Sequence, residues 1–92
     1  MKAAAIFDAT MTTEQSDQLA ELMEKNIATR PSEVALATLH VDGEHVRLVA
    51  YWTSMEALDE YRAASPVLRG QELMRRVGVE PTVSIVSVPA FG

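Results

Sequence analysis

The chain has 92 residues, 48% of them hydrophobic and 23% charged, and eight Lys and Arg against thirteen Asp and Glu give a net charge of −5 at pH 7. Area scaling for that size gives roughly 5,300 Å² exposed when folded against about 14,600 Å² unfolded, so one domain over residues 1–92 with a thin core is expected. The acidic balance disfavours nucleic acid and anionic membranes as partners. The absence of cysteine removes disulfides and thiolate chemistry, and no 18-residue apolar run reads as a membrane span, so a cytoplasmic location is expected.

Ala3 to Asp8 is a short apolar run that reads as a first strand, followed by a cap region in which Thr12 and Gln15 have capping-box spacing. Leu19, Leu22, Met23, Asn26 and Ile27 then recur on one helical face, with Glu14, Asp17, Glu21 and Glu24 off it. Arg30-Pro31 predicts an end near Ala28 or Thr29, because the residue before proline avoids the αR region.

Val34 to Val41 and Glu44 to Trp52 are rich in β-formers and are joined by Asp42-Gly43, which suits a type I′ hairpin turn. That turn would pair Val41 with Glu44, His40 with His45 and Leu39 with Val46. One face would carry Ala35, Ala37, Leu39, Val41, Val46, Leu48, Ala50 and Trp52 as a core surface. Val34, Leu36, Thr38, His40, His45, Arg47, Val49 and Tyr51 fall on the other, mixed face.

Thr53 with Glu56 repeats the capping-box spacing and opens a second helix, which should end near Ala63. Ser65-Pro66 predicts a further helix capped by Ser65, with Leu73, Met74 and Val77 on its apolar face and Gly78 at its close. Gly70 inside that helix marks either a break or a close approach. Thr82 to Val88 alternates as a last strand before Pro89.

The order β-α-β-β-α-β predicts an α+β, ferredoxin-like domain: a four-stranded antiparallel sheet with its helices on one face. The other face would keep Leu36, Val34, Val49 and Tyr51 exposed unless a second copy packs against it.

The run Tyr51-Trp52-Thr53-Ser54-Met55-Glu56-Ala57-Leu58, followed by Tyr61 and Ser65-Pro66-Val67-Leu68, resembles the antibiotic biosynthesis monooxygenase family of dimeric α/β-barrel proteins. The resemblance covers nearly the whole chain in element order and about Val49 to Leu68 in motif. It implies a homodimer packed sheet to sheet and a pocket between sheet and helices in each protomer. For some members it further implies oxygenation of phenolic or quinol-like substrates without metal or flavin. In that chemistry a deprotonated aromatic reacts directly with O₂, so the protein must hold the substrate and favour its anion.

On this reading Trp52, Tyr61 and Arg69 are the catalytic candidates, and Phe7, Leu48, Leu73 and Met74 line the substrate site; no cofactor or metal is expected. Trp52 and Tyr61 also read as core aromatics, and Arg69 and Arg62 as solvated helix residues. Two alternatives remain. One is a non-catalytic barrel that binds a small ligand or serves assembly, with a closed or aliphatic pocket. The other is an isomerase using His40 or His45, which share the strand face opposite Trp52. The haem-degrading branch of the family implies a histidine about ten residues after the helix aromatic, where this chain has Gln71.

Overall fold

The computed structural model describes residues 1–26 and 29–91. The elements are β1 (Ala3–Thr10), α1 (Thr13–Asn26), β2 (Val34–Asp42), β3 (His45–Trp52), α2 (Met55–Ala64), α3 (Arg69–Arg76) and β4 (Thr82–Ser87). All strand pairs are antiparallel, in the order β2-β3-β1-β4. This is the ferredoxin-like arrangement expected from the element order, because both β-α-β crossovers return to one sheet. The exposed surface is 5460 Å², close to the value scaled from chain length.

The Thr12 capping box forms as expected: Thr12 N–H donates to Gln15 Oε1 at 2.9 Å and Gln15 N–H to Thr12 Oγ1 at 3.2 Å. Gln15 also donates from Nε2 to the Val77 carbonyl at 3.0 Å, which ties the start of α1 to the end of α3. Ile27 and the expected helix end at Ala28 lie outside the described residues.

The core is formed by the sheet's inner face with one side of each helix. Phe7 and Val46 from the strands, Leu19 from α1, Leu58 from α2 and Met74 from α3 are its largest fully buried side chains. Gly70 is the point of closest approach: a Cβ there would lie 2.6 Å from Phe7 Cε2 and 2.7 Å from Cδ2. Of the two readings of this glycine, close approach is the one observed.

Four local expectations are corrected. The hairpin turns at Gly43-Glu44, not Asp42-Gly43, since Asp42 pairs with His45; only Gly43 has positive φ (59°), which suits a type II′ turn with glycine first. His40 therefore faces Arg47, and His45 faces Asp42. The register moves by two residues, so the assignment of faces survives along most of the hairpin.

A bulge between Val34 and Leu36 changes the beginning of β2: Val34 pairs with Trp52 and is buried, while Ala35 is exposed. Val34 thus belongs to the core face. Helix α2 is capped by Ser54, whose side chain accepts from Ala57 N–H at 3.1 Å, and not by Thr53. Ser65 does not start a helix; its N–H closes α2 on the Tyr61 carbonyl at 2.8 Å and its hydroxyl donates to the Val67 carbonyl at 3.0 Å. Helix α3 begins later, at Arg69, with Leu68 as N-cap and no side-chain capping bond.

Candidate functional site

A cavity of about 330 Å³ opens between the sheet's inner face and the helices. Its floor is set by strand periodicity. Ala5 and Phe7 of β1, Leu48, Ala50 and Trp52 of β3, and Ala37 and Leu39 of β2 all face inward. The alanines matter as much as the large residues, because Ala5, Ala37 and Ala50 lie side by side across three strands and leave room above them. Helices α2 and α3 supply Tyr61, Gly70 and Leu73.

Among the described residues, polar side chains enter through Trp52 and Tyr61 and through a rim where the end of α1 meets the start of α3. That rim holds Glu24, Asn26, Arg30 and Arg69. Arg69 spans it: NH1 donates to the Thr29 carbonyl at 2.7 Å, and NH2 donates to Asn26 Oδ1 at 3.2 Å and to Thr29 Oγ1 at 2.5 Å. The guanidinium thus holds backbone and side chain near the end of α1, where carbonyls lack helical partners.

Trp52 is 4% exposed, and its Nε1–H is the only buried side-chain polar atom among the described residues without a hydrogen-bond partner. Its ring centroid lies 5.2 Å from that of Tyr61 at 52° between planes, a tilted aromatic pair that fixes both side chains. A buried donor left unpaired costs about 1–3 kcal/mol.

The structure brings Trp52, Tyr61, Arg69, Phe7, Leu48 and Leu73 around this one cavity. Met74 is not in the lining; it is fully buried in the core on the neighbouring position of α3. Arg62 lies elsewhere, beside the α2–α3 connection. Arg30 and Asn26 were missed as lining residues because Arg30-Pro31 reads in sequence only as a helix terminator, and the approach of α3 to that point is a tertiary fact.

The two histidines lie on the opposite sheet face. His40 Nε2 is 2.8 Å from Thr38 Oγ1, and His45 Nε2 is 3.2 Å from Asp8 Oδ1. Asp8 is an acidic neighbour that the sequence reading did not place there. The Arg47 guanidinium, donating from Nε to Asp8 Oδ1 at 2.8 Å, holds the Asp8 carboxyl below its usual range, with the nearby charges of Arg47 and His45 adding to the shift and partial burial opposing it. Among the described residues no group of three or more His, Cys, Asp or Glu could hold a metal ion, and no helix is long and apolar enough to cross a membrane.

A four-stranded antiparallel sheet with helices on one face and a cavity between the layers defines a ferredoxin-like α+β domain. More particularly, the chain has the fold of the antibiotic biosynthesis monooxygenases. It is similar to the Streptomyces coelicolor monooxygenase of the gene ActVA-Orf6, solved with nanaomycin D, at a TM-score of 0.69 and 19% identity over 98% of this chain and 88% of that one. It is also similar to SnoaB, a cofactor-independent oxygenase from Streptomyces nogalater, at a TM-score of 0.61 and 15% identity over 97% and 92%. A third solved structure, an antibiotic biosynthesis monooxygenase, has a TM-score of 0.56 and 18% identity over 98% and 99%. No protein-family model matches the chain, and no curated protein matches it by sequence.

Proposed function

We propose that this protein is a cofactor-independent monooxygenase acting on a small hydroxylated aromatic or quinol-like substrate. The observation that carries the reading is the buried, unpartnered indole N–H of Trp52, a residue that lines a cavity with an apolar floor and packs against Tyr61. The fold shared with a cofactor-independent oxygenase supports it. In this reading Trp52 Nε1–H and the Tyr61 hydroxyl donate to substrate oxygens, and the Arg69 charge at the rim favours the substrate anion. Phe7, Leu48 and Leu73 hold the ring system and keep water out. For a substrate that carries the reacting carbon as a CH₂ group, one atom of O₂ becomes the new carbonyl oxygen. The other leaves as water with the two hydrogens of that carbon, so substrate and O₂ balance without a further reductant.

The proposed working unit is a homodimer packed through the outer sheet face. Leu36 and Val86 are exposed there, while Ala4 and Val49 are buried on a side that no helix covers. A non-catalytic binding barrel remains the alternative, but it expected a closed or aliphatic cavity, and this one has an indole donor and a polar rim.

Metal-free, chelator-treated protein is expected to accelerate O₂ uptake by one or more members of an anthrone and naphthohydroquinone panel. Trp52→Phe should lower that rate roughly a hundredfold to a thousandfold, the range for losing one preorganised donor, with an unchanged far-UV spectrum. No acceleration across the panel, or an unaffected rate in Trp52→Phe, would refute the proposal.

A further inference from the structure

We infer that the cavity takes aromatic ligands bearing an anionic substituent, a carboxylate, and that Arg30 at the rim is the residue that selects it. The inference rests on the reading of the cavity as the ligand site and adds a substrate class and a specificity residue to it. The distribution of charge in the lining is the first argument. The chain as a whole carries −5, yet among the described residues the charged ones around the cavity are two cations, Arg30 and Arg69, and one carboxylate, Glu24. A locally cationic rim on an acidic protein attracts an anion to that opening and to few other places.

The second argument is what each cation is already doing. Arg69 spends NH1 and NH2 on the Thr29 carbonyl, Thr29 Oγ1 and Asn26 Oδ1, so these donors are taken and do not offer a two-point pair to a carboxylate, while its charge still stands at the rim. Arg30 is exposed, and it forms no ion pair with Glu24 or with any other carboxylate among the described residues. It follows Thr29 directly, so it stands at the place that Arg69 pins. An arginine fork at an opening matches a carboxylate in a two-point geometry that a lysine or an amide does not reproduce.

The third argument is the spacing of polar groups. Among the described residues the floor side chains are apolar apart from the Trp52 indole, and the charged side chains sit at the rim. A ligand that satisfies both has an acceptor oxygen on its inner part, an apolar ring body over Ala5, Ala37 and Ala50, and an anionic group that stays at the opening. At about 330 Å³ the cavity lies at the lower end of the ligand-pocket range of roughly 300–1,000 Å³, which suits a ligand of two fused rings whose charged group is outside the apolar volume.

The test compares 6-hydroxy-2-naphthoate with its neutral amide, 6-hydroxy-2-naphthamide, by calorimetry at low ionic strength. The single tryptophan of the chain supplies a second readout, because Trp52 gives one indole N–H resonance that reports occupancy of the cavity. Both ligands should move that resonance, and the carboxylate should bind at least about fivefold more tightly than the amide. Arg30→Gln should remove most of the preference, acting mainly on the carboxylate's affinity, and Arg30→Lys should recover only part of it.

Equal binding of the two ligands to the unaltered protein, both shifting the indole resonance, would overturn the anionic preference and leave the cavity as the ligand site. A preference that survives in Arg30→Gln would overturn the role given to Arg30. If neither ligand moves the indole resonance, both the inference and the site reading fall.

Discussion

Replacing Gly70 by alanine tests the contact that shapes one wall of the cavity. A helix gains up to about 1 kcal/mol when glycine becomes alanine, and less in the first turn, where Gly70 is the second residue of α3. Against this, the new methyl would lie 2.6, 2.7 and 3.0 Å from three carbons of the Phe7 ring, where ordinary contact begins near 3.4 Å. The ring must retreat by several tenths of an ångström. Phe7 is 1% exposed, so the free space open to it is the cavity it lines. Overpacking of this kind typically costs about 1–3 kcal/mol. The expected net loss is therefore about 1 kcal/mol, a fall in Tm of roughly 4–8 °C for a domain of this size. Equilibrium urea unfolding followed by far-UV circular dichroism, at one fixed protein concentration, measures it. The decisive comparison is the same substitution in a Phe7→Leu background. There the clash is removed, and Gly70→Ala should become neutral or stabilising, a coupling of about 1–2 kcal/mol. A Gly70→Ala protein as stable as the original, or the same loss in both backgrounds, would show that Phe7 does not require the glycine.

Three further outcomes are expected. Ser54→Ala should lower stability by about 1 kcal/mol through loss of the α2 cap, whereas Thr53→Ala should change it by less than about 0.5 kcal/mol; thermal melts of the pair distinguish the two caps. Asp8→Asn should flatten the acid limb of the stability curve. The Asp8 carboxyl is depressed in the folded protein by Arg47, so its contribution is present above the unfolded value and is lost as pH falls below about 4, which melts from pH 5 to 2.5 would reveal. Leu36→Glu with Val86→Glu should place charge on the outer sheet face and convert the proposed homodimer to monomer, read by light scattering after size exclusion; a dimer that persists would locate the self-association elsewhere.

Element order and most of the face assignment were legible in the sequence, because both follow from local periodicity. Apolar residues two apart must share a strand face, and the Leu19, Leu22, Met23 and Asn26 spacing must share a helix face. The faces survived even where the turn was placed one residue early, since moving the pairing by two residues preserves parity. Local signals that compete at neighbouring positions were not decided so well. Thr53 and Ser54 both offer a hydroxyl before α2, and which one caps depends on where the chain leaves β3. Ser65-Pro66 carries the composition of a helix start, yet Ser65 serves the end of α2.

Composition and pattern determined the βαββαβ order and most of the buried side of each element, and the family resemblance of the Trp52 to Leu68 run made Trp52, Tyr61 and Arg69 candidates. The tertiary structure alone decided that a bulge at Ala35 turns Val34 inward, that Gly70 meets Phe7, and that Arg69 reaches Thr29 and Asn26 forty or more positions away in sequence. The physical reason is range. Periodicity records which side of an element faces the core, whereas a cavity is a gap between elements. Its walls, orphaned donor and charged rim exist only once β1, β3, α1 and α3 are packed together.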